Sequence, residues 1–150
     1  MFTFDDGPNE HANVTLNVLS ILKQYNIRAY FCVIGSQAIK NPEMLKKIYE
    51  AGHIIANHSY HHDIKIFFFH FDSEYTTRNY KHVVRKMIRS LEQDQGGKFV
   101  LHDGGVRLFT PSEEDYLKPD KEVNRTRVSD ALEEIIRHFS EQGYTFDIDS

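Results

Sequence analysis

The sequence predicts a single α/β domain with parallel strands joined by crossover helices. Three observations carry this reading. Residues 1–57 alternate β, α, β, α, β; the apolar residues between the strands recur at helical spacing; and 150 residues suffice for one hydrophobic core but not for two ordinary ones. Phe2-Thr3-Phe4 is a short β-type run that Asp5-Asp6-Gly7-Pro8 stops. From Asn13, the residues Val14, Val18, Ile21, Leu22 and Tyr25 follow the period of one buried helix face. Ala29 to Ile34 reads as a buried strand closed by Gly35. Asn41-Pro42, then Met44, Leu45, Ile48 and Tyr49, reads as an N-cap, a first-turn proline and an amphipathic helix, with Gly52 past its end. His53 to Ala56 is a third strand.

Farther along, Ile64 to Phe71 is an aromatic strand, Thr76 to Leu91 a helix, and Phe99 to Leu101 another strand. The polar stretch from Asp103 to about Arg125 is a long loop, of the kind that usually carries function or motion. Ala131, Leu132, Ile135, Ile136 and Phe139 define a helix over Ser129 to Glu141; Gly143 stops it, and a last strand follows over Tyr144 to Ile148.

Composition narrows the function. A formal charge of −4 excludes the broad basic surface that drives non-specific nucleic-acid binding. No apolar run approaches the roughly 20 residues of a membrane helix, and no basic-then-apolar leader pattern is read at the start. A single cysteine, Cys32, excludes an intrachain disulfide and a multi-cysteine zinc site. Oligomeric state and compartment are not legible. The chain has 11 Phe and 8 Tyr but no Trp, and its nine His cluster, with His53, His58, His61 and His62 close together.

Three constellations stand at the ends of expected strands, where sites collect in parallel α/β folds. Asp5 and Asp6 are adjacent carboxylates whose repulsion a cation or a raised pKa would relieve, which suits one as metal ligand and the other as base. The same residues are also ordinary turn chemistry. His58 and His62, four apart, can face one point on a helical turn or compact loop. With one carboxylate they make a three-ligand set that leaves a coordination position open. His53 and His61 read as bystanders. His102, delivered by a strand into Asp103-Gly104-Gly105, suits a proton donor near neutral pH, although alone it would read as a surface histidine.

Taken together, Thr3 to Pro8 (TFDDGP), His58 to His62 and Leu101-His102-Asp103 resemble the motifs of the polysaccharide deacetylases, the NodB-homology domain of carbohydrate esterase family four. Thr126 to Phe146 resembles the closing unit of that family. The resemblance implies a distorted, incomplete (β/α) barrel over residues 1–150 that removes acetyl groups from a chitin- or peptidoglycan-like polysaccharide. It implies Asp5 as general base, Asp6, His58 and His62 as ligands of one divalent metal ion, and His102 as general acid. Zinc is the first choice of metal, with cobalt or another transition metal as alternatives. The substrate would be an acetylated polysaccharide or oligosaccharide, and the location secreted or cell-envelope associated.

The middle of the chain departs from the family pattern. No proline is followed by Tyr, so the motif that orients the base is absent, and without Trp the Asp-x-x-Asp-Trp motif is not intact. Phe71 to Tyr75 stands where its remnant would, with Asp72 as the residue to tune the acid. The short step from His62 to Ile64 implies an internal shortage of a few tens of residues, and the first strand is clipped at Met1. These departures leave a second reading, a catalytically impaired pseudoenzyme or a metal-dependent carbohydrate-binding domain. A phosphohydrolase fits poorly. The His62-Asp63 pair would need an all-helical domain, and the phosphatase strand needs its acids two apart, not adjacent.

Overall fold

The computed structural model describes residues 1–9, 13–61, 80–93, 97–103 and 127–148. The expected strand over 64–71, the start of the helix at 76, the loop beyond Asp103, His62 and Asp72 lie outside the described residues.

Among the described residues, four parallel strands form the centre: β1 (Phe2–Asp5), β2 (Tyr30–Val33), β3 (Ile54–Asn57) and β4 (Phe99–His102), in the order β3-β2-β1-β4. Strand alternation sends Phe2, Phe4, Phe31, Val33, Phe99 and Leu101 to one face, where all are buried. Phenylalanine rings run across this face as a stacked row: Phe99 on Phe2 at 5.0 Å, Phe2 near Phe4 at 6.4 Å, and Phe4 on Phe31 at 5.1 Å. This row is where the Phe-rich, Trp-free composition goes, and each fully buried ring is worth about 1.5–3 kcal/mol. The opposite face carries Thr3, Asp5, Tyr30, Cys32, Val100 and His102, each half-buried.

Helices α1 (Val14–Gln24), α4 (Tyr80–Gln93) and α5 (Arg127–Glu141) pack together, α5 touching both of the others. The face of α1 buries Val14, Val18, Leu19 and Leu22, whereas Ile21 and Tyr25 only flank the core. In α5, Ala131, Leu132, Ile135, Ile136 and Phe139 are all buried as their spacing predicts. Helix α3 (Pro42–Glu50) begins at its proline and buries Met44 and Ile48, but Tyr49 is 72% exposed rather than inward. Asn41 precedes α3 without capping it through its side chain; its Nδ2 instead donates to the Gln37 carbonyl at 3.1 Å. That carbonyl belongs to α2 (Gly35–Lys40), a helix absent from the sequence-based expectation because it buries no residue and so has no apolar period.

One expected element is corrected. Tyr144 to Ile148 is not a strand: it has no ladder partner among the described residues, and Phe146 instead stacks on Phe2 at 5.1 Å. Its alternating aromatics are packing contacts rather than a pleat. The parallel sheet with helices on one face fits a distorted (β/α) barrel that the described strands do not close.

Candidate active site

The register of the sheet assembles the site. Asp5 pairs with Cys32 on one side and with His102 on the other, so Cys32, Asp5 and His102 form one row at the C-terminal ends of three neighbouring strands. Register partners in a parallel ladder share a face, and adjacent strands lie about 4.8 Å apart. Asp5 Oδ1 is buried with no hydrogen-bond partner among the described residues, which leaves a lone pair for work.

Beyond β1 the chain turns sharply. Asp6 has φ 69°, in the left-handed region that Asp tolerates better than most residues, and only 3% of it is exposed. The turn is tied to β2 by the Ile34 N–H, which donates to the Gly7 carbonyl at 3.0 Å. His58 enters from the far side. Its N–H donates to the Val33 carbonyl at 2.9 Å, extending the β2–β3 ladder by one residue. Its Nε2 then lies 3.3 Å from Asp6 Oδ1.

Helix α2 holds the His58 segment in place. The N–H groups of Gly35 and Ser36, unpaired within the helix as first-turn donors, bind the carbonyls of Ser59 at 2.9 Å and Tyr60 at 3.0 Å. A Cβ on Gly35 would meet Tyr60 Cδ2 at 2.7 Å, so only glycine lets the ring lie over the helix start.

The electrostatics follow from crowding of acids. The hydrogen bond to Asp6 raises the His58 pKa above its ordinary value, with burial opposing it and the Asp5 charge adding to it. Burial, then the charge and hydrogen bond of Asp5, push the Cys32 thiol up to about 12, so it stays protonated beside Asp5. The structure thus brings together Asp5, Asp6, His58 and His102, four of the residues singled out in the sequence; His62 and Asp72 lie outside the described residues. His53 is buried, with Nδ1 accepting from the Ala29 N–H at 3.3 Å, and His61 meets Tyr60 edge-on at 4.5 Å.

As a test of fit for a divalent cation, a nearly buried carboxylate facing an imidazole nitrogen is the start of a hard-metal or zinc site. Among the described residues no group of three such donors is assembled. The Asp6–His58 pair fits two places of the expected set.

Comparisons with known proteins place the chain in a family. The sequence profile of the polysaccharide deacetylase family matches residues 1–101. The chain belongs to the polysaccharide deacetylase family. A peptidoglycan-N-acetylglucosamine deacetylase of Listeria monocytogenes is 47% identical over 60 residues, which is 40% of this chain and 12% of that protein. A chitooligosaccharide deacetylase of Rhizobium leguminosarum bv. trifolii is 37% identical over 60 residues, 40% of this chain and 27% of that protein. The matched segment is therefore a small part of the length of these relatives. In fold, the chain resembles a family 4 acetyl xylan esterase of Clostridium thermocellum in complex with a cobalt ion, with TM-score 0.65 and 18% identity, over 97% of this chain and 85% of that one.

The sequence pattern conceals the supports rather than the candidate site residues. Gly35 and Tyr60, the Ile34–Gly7 tie, Cys32 beside Asp5, and Thr15 with Asp103 are all set by contacts distant in sequence. A motif marks candidate site residues, not what holds them.

Proposed function

We propose that this chain hydrolyses N-acetyl groups of a peptidoglycan- or chitin-like glycan, with Asp5 as general base, His102 as general acid, and Asp6, His58 and His62 holding a divalent ion, zinc or cobalt. The observation that carries the reading is the placement of Asp5 and His102 as register partners on one face, with Asp6 and His58 in contact beside them. Relatives named for deacetylation of peptidoglycan and chitooligosaccharide support the substrate class, and a cobalt ion in a protein of like fold supports the ion.

An amide is a poor electrophile, and its amine leaves only when protonated. Three tasks follow: activating water, stabilising an oxyanion and protonating nitrogen. When bound, the ion supplies a Lewis acid to the acetyl carbonyl and makes water more acidic. Asp5 takes the proton of the attacking water through its uncommitted Oδ1. His102, one strand away, gives a proton to the departing nitrogen, leaving acetate and an amino sugar. In the same reading Asp72 is the acid that tunes His102. A cell-envelope location follows from the substrate.

The test is acetate release from N-acetylglucosamine oligomers by the zinc- or cobalt-loaded chain, with Asp5→Asn as control. Loss of a general base costs about 100-fold or more. Metal binding by a folded chain without acetate release, unchanged by Asp5→Asn, would sink the enzyme in favour of a carbohydrate-binding domain.

A further inference from the structure

Asp103 directly follows His102, and the strand alternation turns it to the opposite side, into the core, where it is fully buried. A carboxyl in such a place is costly unless it is held by hydrogen bonds. Its Oδ2 accepts from Thr15 Oγ1 at 2.5 Å, and Thr15 Oγ1 in turn accepts from the Asn9 N–H at 2.9 Å. Thr15 is itself fully buried in the first turn of α1. The same carboxyl presses on the turn after β1: a Cβ on Gly7 would lie 2.5 Å from Asp103 Oδ1 and 2.7 Å from Oδ2. One side chain therefore touches three segments at once: the turn that presents Asp5 and Asp6, the start of α1, and the end of β4.

We propose that Asp103 is a positioning residue which, through Thr15 and Gly7, fixes the end of β4 and so His102 relative to the turn bearing Asp5 and Asp6. The catalytic consequence rests on the deacetylase reading above; the positioning itself does not. Strand β4 ends at His102, so a tether on the next residue fixes the backbone from which the imidazole projects. Metal ligation is served from the other side, because the Ile34–Gly7 and Val33–His58 hydrogen bonds hold Asp6 and His58 to β2. The clamp should thus govern the acid and spare the metal pair.

The experiment compares wild type with Thr15→Val, which keeps the shape and loses the hydroxyl, Thr15→Ser, which keeps the hydroxyl, and Asp103→Ala, which removes the acceptor. Each full chain is measured well below its unfolding midpoint. The readouts are kcat and KM for acetate release from the cobalt-loaded protein, cobalt stoichiometry, and the His102 ring signals by NMR in the metal-free protein. Thr15→Val is expected to lower kcat by about 10- to 100-fold with little change in KM. It should also displace the His102 signals and leave cobalt stoichiometry intact, and Thr15→Ser should restore kcat and the signals. If Thr15→Val does not fold, Asp103→Ala decides by the same readouts in the same direction. Unmoved His102 signals in a folded Thr15→Val or Asp103→Ala variant would overturn the positioning role. A wild type that releases no acetate would overturn the deacetylase reading alone, and the NMR comparison would still decide the clamp.

Discussion

At the residue scale, His58 is the side chain on which a metal site depends most visibly. Its pKa is raised, first by the hydrogen bond to Asp6, so in the metal-free chain a proton competes more strongly for the place a cation would take. Binding must expel that proton, and cobalt affinity measured by calorimetry is expected to fall on acidification with a midpoint above the ordinary 6.5. His58→Ala should abolish stoichiometric metal content after dialysis, and a variant that retains its metal would remove His58 from the ligand set. His58, Asp5, Asp6 and His102 were legible in the sequence because each stands where a strand ends and carries chemistry in its own side chain. Thr15 and Asp103 were not: they meet across 88 residues, and a threonine in a helix or an aspartate after a histidine bears no local sign of such a contact.

At the scale of elements, periodicity revealed the helices that bury a stripe and hid the one that does not. Helices α1, α3 and α5 follow from their apolar spacing, whereas α2 has no buried residue and is fixed by hydrogen bonds from its first turn to Ser59 and Tyr60. The false strand at Tyr144 to Ile148 shows the converse error, since alternation arose there from Phe146 stacking on Phe2 and not from a ladder. Gly35→Ala tests whether α2 sets the position of His58. The added methyl would stand 2.7 Å from the Tyr60 ring and 3.3 Å from its Cα, so the ring and the backbone behind His58 must shift. Overpacking of this kind costs about 1–3 kcal/mol. The expected result is weaker cobalt binding, partly recovered by adding Tyr60→Ala, with helix content unchanged by circular dichroism. Wild-type affinity in Gly35→Ala would show that α2 does not set the His58 position.

For the whole molecule, buried polar groups give the metal-free fold a stability that depends on pH, with Asp103, His58 and His53 acting nearest neutrality. Burial pushes the Asp103 carboxyl up from 3.8 to about 7, with the Thr15 hydroxyl opposing. The folded state therefore holds a proton there that the unfolded chain has released, and stability falls as pH rises from about 4 to about 7. His58, raised above 6.5, acts with the same sign: its contribution is complete below 6.5 and is lost as pH rises through its folded pKa. His53 acts oppositely. Burial, with the Arg28 charge, lowers its pKa, and protonation would take the Nδ1 lone pair that accepts from Ala29, so its contribution is present above 6.5 and is lost on acidification below it. Above 6.5 only the first two of these still change, but the Met1 amine, its pKa lowered from 8.0 by burial, opposes them as pH approaches 8. With that amine acetylated, the urea midpoint of the metal-free chain should be lower at pH 8 than at pH 6.5. Between pH 5 and 6.5 the contributions compete, and His53→Gln, which removes one of them, should make stability fall more steeply with rising pH across that interval. A midpoint of the acetylated chain that rises between pH 6.5 and 8 would mean that the Asp103 carboxyl and the His58–Asp6 pair do not shift in the direction their burial and contacts give them.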